Sequence, residues 1–323
     1  MTKRIPKIGT VIPTYEKPKD RFIENNFVLE AISSVLKQSL PINDISIVID
    51  GKSNYIKTKI RKTFSKQKSK IKITETIQKK GGATARNIGF DNLDPKDKFV
   101  AFLDDDDKWY PKKLEKEVAV AQKQKQDNYF VFTQTRYDKK AGPKVLPKNY
   151  LSPNGNPAEF IFLHNGFITT SSLLIPKKLF NNIRFTDGLK KHQDWDLILR
   201  ANFFHHVHMI QISLPLTWYR EQYEGRQKSV STLVDWRFSL FWIRKFKKYL
   251  NEKVVEAFER TQVIPGLIHD PTLNKLKKVY LFFSIVSKDY NFGIFSPFLF
   301  RKIFLPAFIN RIKKSKIIEK KNE

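Results

Sequence analysis

Short apolar runs alternate with segments of helical spacing along the first half of the chain. Residues 8–12, Ile-Gly-Thr-Val-Ile, read as a strand that stops at Pro13. Residues 22–38 place Phe27, Ala31 and Val35 four apart, the spacing of one helix face. The same alternation predicts strands over 45–49, 70–76, 99–103 and 129–135, and helices over 55–67, 84–90 and 114–124. Strands separated by helices imply βαβ units: an α/β fold with a mostly parallel central sheet flanked by helices. Residues 139–157, rich in Pro, Gly, Asn and Lys, predict a loop, a candidate lid or acceptor-facing segment. A helix over 159–164, an apolar strand over 170–175 and a helix over 194–204 follow.

Past about residue 234 the pattern changes. Residues 237–323 carry 19 Lys/Arg against 7 Asp/Glu, with many aromatics among them. We therefore divide the chain into an α/β domain, 1–233, and a helical, basic-aromatic extension, 234–323. Within the extension, 236–250 and 291–318 mix aromatics with Lys and Arg. Residues 298–306, Phe-Leu-Phe-Arg-Lys-Ile-Phe-Leu-Pro, suit an interfacial helix on an anionic leaflet. The alternative is a helical appendage packed on a core.

Charge sharpens this picture. With 60 Lys+Arg and 32 Asp+Glu, the net charge is +28, which attracts nucleic acid, nucleotide phosphates or an anionic membrane surface. The plain alternative is a solvated lysine-rich surface. The absence of cysteine excludes disulfides, thiolate zinc sites and a cysteine nucleophile. Residues 1–6 lack the apolar core of a signal peptide, and no stretch reaches the roughly 18 apolar residues of a membrane span. The expected location is cytoplasmic, peripheral on the cytoplasmic face of the inner membrane.

Ala101-Phe102-Leu103-Asp104-Asp105-Asp106-Asp107-Lys108-Trp109 carries the most information. A buried strand ending in carboxylates places them at the carboxyl edge of a sheet, where α/β folds bind ligands. Alternation puts Asp104 and Asp106 on one side, and two carboxylates with diphosphate oxygens suit a hard divalent cation, Mn²⁺ or Mg²⁺. The other reading is a solvated acidic loop, with Asp107 as the cap of the next helix.

These residues sit in a series. Val11-Ile12-Pro13-Thr14-Tyr15, Ala31-Ile32-Ser33-Ser34-Val35-Leu36-Lys37-Gln38-Ser39, Val48-Ile49-Asp50-Gly51-Lys52-Ser53, Gly81-Gly82-Ala83-Thr84-Ala85-Arg86-Asn87-Ile88-Gly89 and the aspartate run occur in order. Together, over about residues 7–230, they resemble glycosyltransferase family 2, the inverting enzymes of the GT-A (nucleotide-diphospho-sugar transferase) fold. One departure is Gly51-Lys52-Ser53, where the family's Asp-Asp-Gly-Ser has a second acid; this weakens any ribose-binding role there. The resemblance implies a nucleotide-sugar donor site made by Pro13, Thr14, Tyr15, Asp50, Arg86, Asp104 and Asp105, with metal on Asp104 and Asp106. It implies that Asp50 accepts from uracil, and that Arg226 and Lys228, in a mobile loop opening at Tyr219-Arg220, close over phosphate. Turn chemistry for Pro13 and Tyr15, a structural ion pair for Arg86 and a solvated loop at 225–231 are the bland readings.

Inverting transfer needs a carboxylate base. His192-Gln193-Asp194-Trp195-Asp196 resembles the family's acidic pair ahead of a helix, with Gln193 departing at the first position. Asp194 is the candidate general base, its alternative being the helix cap; Asp196 is the backup. Trp195 borders the acceptor or belongs to the core. The expected partners are a nucleotide-sugar, taken as a UDP-sugar of a hexose or N-acetylhexosamine, a glycan or glycolipid acceptor and an anionic membrane surface, with no nucleic acid. The competing readings are a polyanion-binding protein, which leaves the four aspartates unexplained, and a nucleotidyltransferase, which lacks its Gly-rich loop after the first strand.

Overall fold

The computed structural model describes residues 5–17, 24–139, 142–220 and 235–289. The chain falls into two compact units, residues 1–233 and 234–323.

In the first unit β1 (Ile8–Thr14), β2 (Asp44–Ile49), β3 (Ile71–Glu75) and β4 (Phe99–Phe102) pair in parallel in the order β3-β2-β1-β4. Every residue of β1, β2 and β4 is buried, because side chains on both faces meet other elements. Ile8 and Ile12 join one core with α1 (Glu24–Leu36), α2 (Asn54–Thr63) and α4 (Lys113–Ala121). Val11 joins the other with α3 (Gly82–Asp91), α5 (Pro157–Phe162), α6 (Lys177–Ile183) and α7 (Gln193–His205). Gly89 lets α3 approach β1: a Cβ there would lie 2.4 Å from Val11 Cγ1.

The sheet continues through β8 (Leu173–Pro176), β6 (Tyr129–Lys139), β9 (His208–Arg220) and β5 (Lys108–Trp109), with β7 (Gly142–Leu146) paired to β6. Here β6 and β9 are parallel, whereas β4–β8, β8–β6, β9–β5 and β6–β7 are antiparallel. The mostly parallel sheet expected from the sequence is parallel through its first four strands and mixed beyond them.

Several elements differ from the sequence expectation. Strand β1 runs through Pro13, which pairs with Val48. Val11 bonds toward β4 through its carbonyl to Leu103 N, so Pro13, two residues on, turns its missing N–H to a side where β4 pairing has ended. The expected loop at 139–157 contains β7. Strand β9 escaped the pattern because Pro215 interrupts it opposite a register shift at Gln134. Tyr219 and Arg220 belong to this strand rather than to a mobile loop.

The second unit holds α8 (Trp236–Phe246), α9 (Glu252–Phe258), α10 (Ile264–His269) and α11 (Lys275–Asp289). Helix α8 buries Trp236, Trp242, Ile243 and Phe246, with Trp242 5.4 Å from Phe258 between ring centroids. Trp236 Nε1 donates to Asp270 (2.9 Å). The apolar face of α8 is therefore a packing face, whereas residues 298–306, where the interfacial helix is expected, lie outside the described residues. Residues 291–318 lie outside the described residues. No helix among the described residues is long and apolar enough to cross a membrane.

Candidate active site

Strands β1, β2 and β4 end at the same edge, and the chain turns sharply after Leu103, closed by Asp107 N donating to Asp104 O (3.1 Å). The four aspartates then diverge. Asp105 accepts from Thr14 Oγ1 (2.6 Å) and from Lys17 Nζ. Burial works against the Lys17 charge, but the Asp105 carboxylate outweighs it and raises that amine. Asp107 is 1% exposed and accepts from Ser171 Oγ (2.6 Å) and from Arg220 N (3.3 Å). Burial, with the charges of Asp106 and Asp104, pushes its carboxyl well above the usual range. Asp107 is not a helix cap: α4 starts six residues later, behind Lys112.

Asp104 accepts from Arg86 Nη2, and its own N–H donates to Ser171 Oγ (3.1 Å). Arg86 reaches it because α3 is entered through Gly81 at its cap position, whose φ of +91° suits glycine alone among common residues. Both bonds of Arg86 stay in the site: Nη1 donates to Gln193 Oε1 (2.7 Å). Its Nε is buried without a partner among the described residues. Burial opposes the guanidinium charge, and Asp104 and Asp194 overcome that and raise its pKa. Asp50 fixes the approach to this turn, accepting from Lys80 N (2.7 Å), Gly81 N (2.8 Å) and Thr76 Oγ1 (3.1 Å). Both Asp50 oxygens thus serve the backbone before any base arrives.

Asp194 lies in the first turn of α7. His192, not Asp194, holds the cap position, and it makes no side-chain cap bond. The Asp194 carboxylate instead accepts from Thr170 Oγ1 and from Thr170 N (3.3 Å). Burial raises its pKa first, Asp104 adds to that, and Arg86 and Thr170 act against it. That combination favours a carboxylate poised to take up a proton. Asp196 is placed otherwise: it accepts from Thr186 Oγ1 (2.6 Å) and Arg200 Nε (2.7 Å), and Arg200 also holds the carbonyls of Ile183 and Arg184. This is a structural network, so the backup role assigned to Asp196 is withdrawn. Trp195 stacks on His192 at 4.9 Å and meets Phe162 edge-on at 5.1 Å. Burial lowers His192 to about 3, so this stack is neutral.

Tyr15 is 38% exposed, with the Lys17 and Lys79 amines 4.4 and 4.7 Å from its ring centre. Pro13 is buried within β1. Arg226 and Lys228 lie outside the described residues. Arg220 donates from Nε to Asp106 O (3.3 Å) and from Nη2 to Glu30 (2.8 Å).

Three residues of this network had no chemical role from the sequence: Lys17, and Thr170 and Ser171, whose segment 169–174 resembles only the floor strand beside the acceptor. A lysine and a Thr-Ser-Ser run have no chemical signature until folding sets them against carboxylates. Asn87 is a fourth, donating to Phe185 O (2.9 Å) and Asp187 (3.0 Å) and so tying α3 to the segment before α7.

For a divalent cation the donor set fits in part. Asp104 keeps one oxygen without a partner among the described residues, while Asp105 and Asp107 are already bonded to protein groups. Asp106 is half-buried beside them. Among the described residues no three His, Cys, Asp or Glu side chains converge on one point. Asp104, with that open oxygen, and Asp106 beside it are the residues that could hold a cation. A groove of about 810 Å³ lies apart from these carboxylates, along α1 and lined by Ser33, Lys37, Lys108, Arg136 and Trp218. Volume alone does not mark the chemistry; the charge arrangement does.

Residues 10–184, more than half of the chain, match the family described as Glycosyl transferase family 2. The chain belongs to that family. It is a glycosyltransferase, and its relatives agree. The amylovoran biosynthesis glycosyltransferase AmsB of Erwinia amylovora is 27% identical over 259 residues, covering 78% of this chain and 81% of AmsB. The succinoglycan biosynthesis protein ExoW of Rhizobium meliloti is 29% identical over 198 residues, covering 57% of this chain and 59% of ExoW. In fold, the glycosyltransferase is similar to S. aureus TarS 1-349 in complex with UDP-GlcNAc, with a TM-score of 0.53 at 16% identity, over 93% of this chain and 79% of that one. That likeness identifies the GT-A architecture.

Proposed function

We propose that this glycosyltransferase moves a hexose or N-acetylhexosamine from a UDP-sugar to a hydroxyl of a surface glycan carried on lipid, with inversion. The observation that carries the reading is the Arg86 bridge, which brings Asp104 of the β4 edge and Asp194 of α7 into one charged group. The donor class is supported by the UDP-GlcNAc held in TarS, and the acceptor class by the amylovoran and succinoglycan roles of AmsB and ExoW.

In this reading the acceptor oxygen attacks the anomeric carbon from the side opposite the leaving group. The bond to the diphosphate oxygen breaks, and the nucleoside diphosphate departs with the electron pair. Asp194 takes the acceptor proton, held in place by Thr170. Tyr15, Thr14, Pro13 and Asp50 border the nucleoside, and Trp195 borders the acceptor. Arg86 holds Asp104 in position while keeping a positive charge beside it. Asp104 and Asp106 would hold Mn²⁺ or Mg²⁺, which when bound neutralises the diphosphate. Arg226 and Lys228 belong to the donor side on the same reading. Lipid linkage of the acceptor places the enzyme on the cytoplasmic face of an anionic membrane.

The test is nucleoside diphosphate release from a panel of UDP-, GDP- and dTDP-sugars with Mn²⁺ or Mg²⁺ and with a chelator. Metal-dependent turnover of one donor is expected. Turnover indifferent to the chelator removes the metal assignment. No turnover, together with salt-dependent RNA binding, replaces the reading with polyanion binding.

A further inference from the structure

Helix α11 is apolar on two opposite sides. Phe282 and Ile285 are buried, and Lys278 on the same side donates to the carbonyl of Ile268 (2.8 Å). The opposite side carries Leu276, Val279, Tyr280 and Phe283, which are 83%, 38%, 70% and 44% exposed. Their i, i+3, i+4, i+7 spacing sets all four on one stripe about 100° wide. Lys275 and Lys277 stand one on each flank of that stripe, about 100° from Leu276, and both are exposed. Neither makes an ion pair among the described residues. No acidic residue occurs between Asp270 and Asp289.

A water-facing helix side is ordinarily polar, and four large apolar residues there need a partner. We propose that the outer stripe of α11 docks on the anionic surface of a lipid bilayer. Leu276, Val279 and Phe283 enter the boundary between headgroups and acyl chains, Tyr280 sits at headgroup depth, and Lys275 and Lys277 meet lipid phosphates. Charge complementarity selects this occupant. A second copy of the chain would set these lysines against each other across a stripe with no acid to answer them, and each copy carries +28. The inference deepens the membrane part of the function proposed above and does not depend on its catalytic part.

The experiment is sedimentation of the full chain with vesicles of phosphatidylglycerol and phosphatidylcholine, and of phosphatidylcholine alone. Binding to the anionic vesicles is expected. It should fall at least tenfold in Leu276→Ser with Tyr280→Ser, and about tenfold in Lys275→Gln with Lys277→Gln. These positions are exposed, so thermal unfolding followed by circular dichroism should stay close to wild type and confirm that the variants fold. Unchanged vesicle binding by the Leu276/Tyr280 variant overturns the proposal. Equal binding of wild type to neutral vesicles, or none to either kind, overturns it as well. Self-association that the Leu276/Tyr280 variant abolishes, with no vesicle binding, replaces the bilayer with a second copy. Nucleotide release with a soluble acceptor reads the catalytic assignment separately, and these variants should leave it unchanged.

Discussion

At the amino ends of β2 and β4, Asp44 and Asp97 interact side chain to side chain; at the carboxyl ends of the same strands, Asp50 and Asp104 face donors and cations. Asp97 accepts from Asn43 Nδ2 (2.8 Å) and Asp44 from Lys72 Nζ (2.9 Å), but the other oxygen of each is buried without a donor among the described residues. Burial first, and Asp44 second, push Asp97 up to about 7, so Asp97 holds a proton below that pH. At the other end Arg86, Lys17 and backbone N–H groups meet the carboxylates, and Asp104 retains an open oxygen. Acidity alone therefore does not make a site. A cluster closed by its own neighbours, Asp97 by a proton and Asp44 by Lys72 (2.9 Å), is structural, whereas one that meets cations and keeps an oxygen open is equipped for an anionic ligand and its metal.

The most severe way to test that contrast is Asp194→Asn. It should lower turnover about 10³-fold at unchanged fold, since the proton acceptor is gone. Retained turnover there, measured as nucleoside diphosphate release, would return the base role to another group. Asp106→Ala should cost about 10²-fold, with a raised requirement for Mn²⁺ or Mg²⁺ in a metal titration. Loss without any change in metal dependence would argue for a purely structural Asp106.

Thr170→Val should act more gently, by about tenfold in kcat near neutral pH. Asp194 is needed ionised, so activity rises with pH through a limb that burial has raised from the ordinary aspartate value. Thr170 hydrogen bonds oppose that rise, and removing its hydroxyl should move the limb to higher pH. A pH profile that drops in height without moving would mean that Thr170 only packs.

The smallest effect belongs to the amino-end pair. Asp97 has a folded pKa raised above its unfolded value, so its stabilising contribution is present at acid pH and lost as pH rises through about 7. Asp97→Asn should therefore raise stability by about 1–2 kcal/mol at pH 8 and change little at pH 4, with activity untouched. Equal changes in Tm at both pH values would remove the shared proton from the account.

Much of this arrangement was legible in residue order. The strand–helix alternation gives β1 to β4, α1 to α4 and α7, and the run Asp104-Asp105-Asp106-Asp107 after an apolar strand marks the edge that carries the site. Other parts were not. Strand β9 hides behind Pro215, β7 sits inside a stretch of turn-forming residues, and nothing in the run Thr169-Thr170-Ser171-Ser172 says which hydroxyl meets which carboxylate. Asp194 and Asp196 are both carboxylates in the first turn of α7, and only their neighbours separate a candidate base from a member of the Arg200 network.

The sequence by itself determined which segments are buried, because periodic burial is written in side-chain polarity, and it determined which edge gathers acid, because the aspartates directly follow a buried strand. Tertiary structure decided what each carboxylate does. Asp104 meets Arg86 from 18 residues away, and Asp194 meets Thr170 from 24 residues away. Charge, solvation and hydrogen bonding act over a few ångströms in space, and only the folded chain brings such distant residues within that range.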